Sequence, residues 1–274
     1  MLISIITVNY NDSSGLLKTI KSVIGQKFSD FEYIIIDGGS VDGSKDVILK
    51  HQEHFSHWVS EEDRGIYHAM NKGIKAARGE YLLFLNSGDY LHSEVVLQRV
   101  SSQLNGCDIL CGNQLNIGSS KVQLNRHPDP NELSLFTFYR GSLNHPSSFI
   151  KSSLFKQYGY YDESLKIVSD WKFFFKAVGI ENASVKSIDE VISCFHLDGI
   201  SRTNKALRLS ERARVVNEFI PEKFIKDYEK FDHLYRLHQL RLVKLAVKIE
   251  QSNFVKKTKH FLSILISSIR NLKR

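Results

Sequence analysis

Cysteine, proline and tryptophan are scarce in this 274-residue chain, which has three cysteines, four prolines and two tryptophans. Three cysteines without CxxC spacing do not make a disulfide framework, so the sequence predicts a protein of the reducing cytoplasm. The longest late apolar stretch, 261–269, is interrupted by serines and is far shorter than the roughly 20 residues of a membrane-spanning helix. The N-terminus lacks the basic segment and cleavage site of a secretion signal, and its pattern favours a first buried strand.

Acidic residues are nearly missing from the end of the chain. Residues 236–274 contain ten Lys/Arg and one acid, Glu250, so they carry a net charge of +9, whereas residues 1–235 carry −2. We therefore expect two regions, 1–205 and 206–274. Within 236–274, basic and aliphatic residues fall on separate helical stripes, which is typical of a helix lying on an anionic membrane surface. The alternative is that the apolar side packs on the catalytic region or on a second copy in a homodimer.

Apolar strands alternate with amphipathic helices over the first hundred residues. This alternation predicts an α/β fold with a mostly parallel central sheet flanked by helices, followed by a C-terminal helical extension. A hairpin is expected over 107–124, and nearly continuous helix after Asn204, interrupted at Pro221. Ligands of such sheets bind at the carboxyl ends of the strands, where this chain has the polar segments 9–11, 37–40 and 86–89.

Five segments carry a family resemblance, in the family's order and spacing: SIITVNYN, IIIDGGSVDGS, EDRGIYHAMNKGI, GEYLLFLNSGD and VSDWKFF. Together they resemble family-2 glycosyltransferases of the GT-A fold, a Rossmann-like architecture, and especially those of bacterial exopolysaccharide, colanic acid and O-antigen biosynthesis. The resemblance covers residues 1 to about 205. It implies an inverting, metal-dependent transferase that moves a sugar from a nucleotide-sugar donor to a hydroxyl of a saccharide. The basic end of the chain suggests that this acceptor is lipid-linked, and that the enzyme is peripheral on the inner face of the plasma membrane.

The resemblance also assigns roles to single residues. Asp37 is expected to hydrogen-bond the donor base and Tyr10 to stack on it, which suits an acceptor-only carboxylate facing an imide N–H. Asp89 is expected to bind Mg²⁺ or Mn²⁺ with His196 as an additional ligand, because hard cations beside a diphosphate prefer oxygen ligands. Asp170 is the expected general base. The remaining donor-pocket candidates are Thr7, Asn9, Asp63, Arg64, Ser87 and His145.

Each assignment has a structural alternative. Asp37 could be an ordinary turn residue and Asp89 a loop cap, while Ser169 and Asp170 could cap a helix. Asp63 and Arg64 could belong to a surface ion pair. Gly88 stands where many family members have an acidic ribose ligand, so ribose binding is a weaker expectation here. The sequence favours UDP as the nucleotide but leaves GDP and dTDP open.

Three other functions compete with this interpretation. A dinucleotide-binding oxidoreductase would explain Asp37, but the loop after the first strand, residues 7–12, lacks the required Gly-x-Gly turn. A nucleic-acid-binding protein would explain the basic end, but aliphatic rather than aromatic residues alternate with its charges. A catalytically silent saccharide-binding relative would have lost the candidate acids, and all of them are present.

Overall fold

A computed structural model of the chain describes residues 1–118, 121–197 and 204–251. The chain divides into two compact units, of which the first comprises Met1–Glu218 and the second begins at Phe219. The first unit is built on a mixed sheet that has nine strands among the described residues. The α/β fold predicted from the alternating pattern and the GT-A type implied by the resemblance are both confirmed.

Four strands form the parallel half of the sheet, in the order β3-β2-β1-β4. β1 and β2 are buried almost throughout, which agrees with their continuous apolar sequences. Helices α1, α2 and α3 connect these strands. The bounds are β1 Ile3–Asn9, α1 Ser13–Ile24, β2 Phe31–Asp37, α2 Ser44–Lys50, β3 His57–Ser60, α3 Ile66–Ala76 and β4 Tyr81–Phe84.

The sheet continues from β4 through β8, β6 and β9 to β5. β6 and β7 form the predicted hairpin, in which Gln114 pairs with Asn125 and Ile117 with Val122. β8 is antiparallel to both β4 and β6, so the direction of the strands changes beside β4. The bounds are β5 Tyr90–Leu91, β6 Ile109–Ile117, β7 Val122–Asn125, β8 Ser148–Lys151 and β9 Val185–His196.

Short helices connect the strands of this second half. One of them, α7, starts at Ser169 and continues as a π-helical turn over Phe175–Ile180, with Phe173, Phe174 and Phe175 buried. A 3₁₀ turn over His145–Ser147 precedes β8. The helix bounds are α4 Val96–Ser101, α5 Leu135–Arg140, α6 Ser153–Tyr158 and α7 Ser169–Phe174.

Helices make up the described chain after Asn204. They are α8 Lys205–Phe219, α9 Glu222–Gln239 and α10 Arg241–Gln251. Pro221 separates α8 from α9 as expected, and extended backbone at Leu240 adds a second break, which the sequence pattern did not indicate. In the part of the chain that the structure describes, every helix is too short or too polar to cross a membrane. The predicted basic and apolar residues of 252–274 lie outside the described residues.

Candidate active site

A cleft of about 1110 Å³ opens where β1, β2 and β4 end. This is the edge at which open α/β sheets bind their ligands. Six of the residues predicted from the sequence line it: Asn9, Tyr10, Asp63, Ser87, His145 and Asp170. The other five, Thr7, Asp37, Arg64, Asp89 and His196, are outside its lining.

Asp37 is the last residue of β2. Its side chain is fully buried, and it accepts hydrogen bonds from Asn9 Nδ2 at 2.7 Å, from Ser60 Oγ at 2.7 Å and from both N and Oγ of Ser40 at 3.0 and 2.6 Å. Burial alone would raise the pKa of this carboxyl, but the hydrogen bonds outweigh it and hold the pKa below its usual value. Asp37 is therefore an anion, and its hydrogen bonds link the ends of β1, β2 and β3.

Tyr10 and Asp63 approach each other across the backbone of Gly38. A Cβ atom at Gly38 would lie 2.7 Å from Asp63 Oδ2 and 3.2 Å from Tyr10 Cδ2, so a side chain there would displace one of them. Tyr10 is 68% exposed and lines the cleft. Asp63 is held by Gly65, whose N–H donates to Asp63 Oδ1 at 2.8 Å.

Arg64 and Thr7 contact protein groups. The Arg64 guanidinium donates to Glu163 Oε2 at 2.6 Å, so its ion-pair partner is Glu163 rather than the neighbouring Asp63. Thr7 is buried within β1, with Oγ1 3.0 Å from the Tyr33 hydroxyl. Neither residue lines the cleft, and their donor-pocket roles stay predictions.

The turn after β4, residues 86–89, is organised by Thr19 of α1. The Thr19 hydroxyl donates to the Asp89 carbonyl at 2.6 Å and accepts from Gly88 N at 3.1 Å. Gly88 has φ +92°, a conformation that favours glycine, which gives a physical reason why no acidic residue occupies this position. Asp89 is 4% exposed, and the buried Asn86 Oδ1 has no hydrogen-bond partner among the residues that the structure describes.

His196 lies close to this turn because Tyr90 pairs with Cys194 in the β5–β9 ladder. Its Nε2 is 3.0 Å from Lys18 Nζ, and the same ammonium group lies 3.9 Å from the centre of the Tyr90 ring. An ammonium group only donates, so His196 Nε2 is the acceptor in this contact. Within the described ranges, no group of three His, Cys, Asp or Glu side chains is arranged to hold a metal ion by itself.

Asp170 enters the cleft from the first turn of α7. The Tyr67 hydroxyl, on α3, donates to Asp170 Oδ1 at 2.8 Å. Burial and then the Asp170 charge raise the pKa of Tyr67 well above its usual value, so the phenol keeps its proton. The residue preceding α7 is Val168, and Ser169 Oγ accepts from Asp162 N, so neither Ser169 nor Asp170 caps the helix.

The His145 side chain is buried among aromatic rings, near the carboxylate of Asp170. Its ring stacks on Phe84 with centroids 5.0 Å apart, and its Nε2 is 2.9 Å from the Tyr161 hydroxyl. Burial lowers the pKa of His145, and the Asp170 charge opposes this only in part. The imidazole is therefore neutral at physiological pH.

Helix α8 supports the segment that leads to Asp170. The buried Glu211 carboxylate accepts from the backbone N–H groups of Lys166 and Ile167 at 2.7 and 2.9 Å. Its neighbour Arg212 places its guanidinium 4.2 Å from the centre of the Trp171 ring. Arg212 also donates to the carbonyls of Phe138 and Tyr139 at the end of α5.

Residues 4–163, more than half of the chain, match the model of glycosyl transferase family 2. The chain belongs to this family. An uncharacterized glycosyltransferase of Mycobacterium tuberculosis strain H37Rv is 35% identical to it over 181 residues, which cover 64% of this chain and 68% of the relative.

Solved glycosyltransferases share the fold. TarS of S. aureus superimposes with a TM-score of 0.60 at 20% identity, over 82% of this chain and 44% of TarS, so this chain spans less than half of that protein. The mannosyltransferase PcManGT of Pyrobaculum calidifontis, solved with GDP-Man and Mn²⁺, superimposes with a TM-score of 0.63 at 14% identity, over 96% of this chain and 80% of that one. At these identities the likeness shows the fold alone.

Sequence reasoning missed several residues of this family-2 glycosyltransferase that shape the cleft. Tyr67 lies in the recognised segment EDRGIYHAMNKGI, but no role was predicted for it. Glu211 and Arg212 lie in a helix that the charge and periodicity patterns assigned to the extension. The hairpin residues Gln114 and Asn116 line the cleft but belong to none of the five recognised segments.

Proposed function

We propose that this glycosyltransferase is an inverting enzyme that moves a sugar from a nucleotide-sugar, with UDP as the favoured nucleotide, to a hydroxyl of a saccharide acceptor in bacterial surface-polysaccharide biosynthesis. The observation that carries the proposal is the position of Asp170. This carboxylate lines the same cleft as Tyr10 and Ser87, and Tyr67 fixes one of its oxygens. A base held in one orientation within reach of a bound donor is what an inverting transfer needs.

Donor binding is assigned to the ends of β1, β2 and β4. Tyr10 would stack on the nucleotide base, and Asn9, Asp63 and Ser87 would face the ribose and diphosphate. The base contact assigned to Asp37 requires one of its four hydrogen bonds to be exchanged for an imide N–H, and the donations from Ser40 Oγ and Ser60 Oγ are the most readily released because a hydroxyl can rotate. TarS has been solved with UDP-GlcNAc and PcManGT with GDP-Man, which supports a nucleotide-sugar without choosing the nucleotide.

The turn at 86–89 fits a divalent cation, Mg²⁺ or Mn²⁺. Asp89 supplies a carboxylate, and Asn86 Oδ1 is a buried oxygen without a hydrogen-bond donor. Mg²⁺ in such sites takes one or two carboxylates and completes its shell with substrate phosphates and water, so a preassembled group of three ligands is not required. His196 could bind the cation only if its Nε2 loses the contact with Lys18 Nζ. Bound there, the cation would neutralise charge that develops on the departing diphosphate.

Asp170 would then perform the proton transfer. The acceptor hydroxyl gives its proton to Asp170 Oδ2, its oxygen forms a bond to the anomeric carbon, and the bond from that carbon to the diphosphate breaks on the opposite side. Tyr67 keeps its own proton and holds Oδ1, so the carboxylate stays oriented while its charge falls.

Replacing Asp170 tests the base assignment. Asp170→Asn keeps the shape and can still accept from Tyr67, but it cannot take the proton, so we expect transfer to fall by about 10²-fold or more. Thermal-shift titration with UDP-, GDP- and dTDP-sugars should show unchanged donor binding, because a ligand of the folded state raises the melting temperature in both proteins. Near-wild-type turnover in Asp170→Asn would show that another group is the base.

Chelation tests the cation. EDTA should abolish transfer and Mn²⁺ or Mg²⁺ should restore it, whereas Asp89→Asn should need a higher cation concentration for half-maximal activity. Asp46→Asn, an exposed carboxylate on α2, is the control and should behave as wild type. Full activity in EDTA would remove the metal from the mechanism.

A further inference from the structure

Four amide side chains form one wall of the cleft and take no part in the reaction proposed above. They are Gln114 and Asn116 on β6, Asn125 on β7, and Asn144 before the 145–147 turn, and all four line the cleft. We call them the amide cluster.

The backbone register places the cluster on one surface. Gln114 and Asn116 are two residues apart on β6, and Asn125 is directly opposite Gln114 in the hairpin, so their side chains share a face. Gln114 Nε2 donates to Asn116 Oδ1 at 2.6 Å, and Asn125 Nδ2 donates to Asn144 Oδ1 at 2.7 Å. The amides are thus fixed as two bonded pairs.

One acceptor of the cluster lacks a hydrogen bond from any described residue. Gln114 is 5% exposed, and its Oε1 is this acceptor. In the part of the chain that the structure describes, the buried side-chain atoms in this condition are Gln114 Oε1, Asn9 Oδ1 and Asn86 Oδ1, and all three residues line this cleft. Buried acceptors are rarely left unpaired. Asn9 and Asn86 are assigned above to the donor and the cation, so Gln114 Oε1 is the acceptor that points to a further ligand, one that brings an O–H or N–H donor.

The chemistry of the cluster fits a sugar. Amides offer donors and acceptors side by side, as do the neighbouring hydroxyls of a pyranose, and the cluster contains no charged side chain. Phe195 pairs with Asn116 in the β6–β9 ladder and lines the cleft, which adds an apolar ring suited to the C–H face of a sugar. The arrangement favours an uncharged sugar over a uronate or a sugar phosphate, since the amide cluster has no cation of its own to pair with either anion; Lys166, which also lines the cleft, lies on the segment that leads to Asp170.

The sheet order places the cluster on the acceptor side. β6 lies two strands beyond β4, whereas β2, which ends at Asp37, lies beyond β1 in the other direction. Asn144 also directly precedes His145, whose ring is close enough to Asp170 for the carboxylate charge to act on its pKa. We propose that the amide cluster and Phe195 form a subsite for an uncharged pyranose of the acceptor. This inference rests on the proposed function.

Ligand-observed NMR titration of the full chain, saturated with UDP, tests the subsite. The probes are the methyl glycosides of glucose, galactose, mannose and N-acetylglucosamine, with methyl glucuronide as the charged comparison. We expect at least one uncharged glycoside to bind more tightly than the glucuronide. Gln114→Met and, independently, Asn116→Leu should weaken that glycoside by about tenfold or more, because each removes a buried hydrogen bond to it. Gln98→Met, which changes an exposed amide on α4 outside the cleft lining, is the matched control and should bind as wild type.

The proposal would be overturned if no uncharged glycoside binds, if the glucuronide binds as tightly, or if both variants retain wild-type affinity while their melting temperatures show them folded. Weaker binding of UDP-sugars relative to UDP in Gln114→Met would also reject it, because the subsite would then hold the donor sugar. Failure of the proposed function would look different. In that case no nucleotide would bind, whatever the glycosides do.

Discussion

Asp170 depends on Tyr67 for its orientation. The tyrosine is buried, its hydroxyl lies 2.8 Å from Asp170 Oδ1, and its raised pKa keeps it a donor over the whole physiological range. A hydrogen bond to a charged group contributes about 1.5–3 kcal/mol, roughly twice a neutral one. Tyr67 is therefore a positioning residue for the proposed base.

Tyr67→Phe should lower kcat for transfer by about tenfold while leaving the donor affinity unchanged, because the ring still packs but the carboxylate loses its fixed orientation. Steady-state kinetics with both substrates varied would measure this, with the exposed Tyr160→Phe as the control. An equal loss of donor affinity would instead assign Tyr67 to general support of the cleft.

The sequence could locate single residues at strand ends but not their partners. Asp37 is recognisable in DGGS after an apolar strand, yet Ser60, which donates to it, comes from β3, 23 residues later. Likewise, the motif around Asp89 indicated an oxygen ligand, whereas the contact of Lys18 with His196 joins residues 178 positions apart. Local patterns carry no information about such pairs.

For helix α8 too, the local sequence pattern did not show which distant residues the element contacts. Its periodicity continues into α9, so the sequence favoured one helical extension from residue 206, and that boundary remains a prediction. In the structure the first compact unit runs through Glu218, and α8 bonds the backbone before Asp170. The first strands and helices and the hairpin were predictable because apolar and turn residues recur there at spacings typical of each element. The role of α8 was not, because it depends on one buried carboxylate.

Glu211→Ala should slow transfer and lower the melting temperature, since the buried N–H of Ile167 loses its acceptor at about 1–3 kcal/mol and the partly buried N–H of Lys166 loses its acceptor as well. Glu211→Gln keeps one acceptor oxygen and should restore part of both losses. UDP affinity should change little in either variant, because Tyr10 and Ser87 lie on other elements. Glu222→Ala, an exposed acid of α9, is the control. A melting temperature that falls without any change in kcat would limit Glu211 to stability.

On the scale of the whole molecule, charge is divided along the chain. Residues 1–235 carry a net charge of −2 and 236–274 carry +9, so the chain's pI of about 9.1 describes only its last part. In α10, Leu242, Leu245 and Ile249 are 80%, 54% and 53% exposed, and Arg241, Lys244 and Lys248 run beside them. Cationic and apolar stripes side by side favour an interface that is both anionic and hydrophobic, which describes a phospholipid surface.

Binding to anionic vesicles should therefore depend on these cations. The full chain is expected to sediment with vesicles of phosphatidylglycerol and phosphatidylcholine at low ionic strength and to be released as salt is raised, because the Debye length falls to about 3 Å at 1 M. Lys244→Glu with Lys248→Glu should weaken binding by about 2 kcal/mol or more, near 1 kcal/mol for each lysine removed. The same charge change at Lys223 and Lys226 of α9 is the matched control. If both double variants sediment like the wild type, α10 does not hold the protein at the membrane, and the case for a lipid-linked acceptor loses its main support.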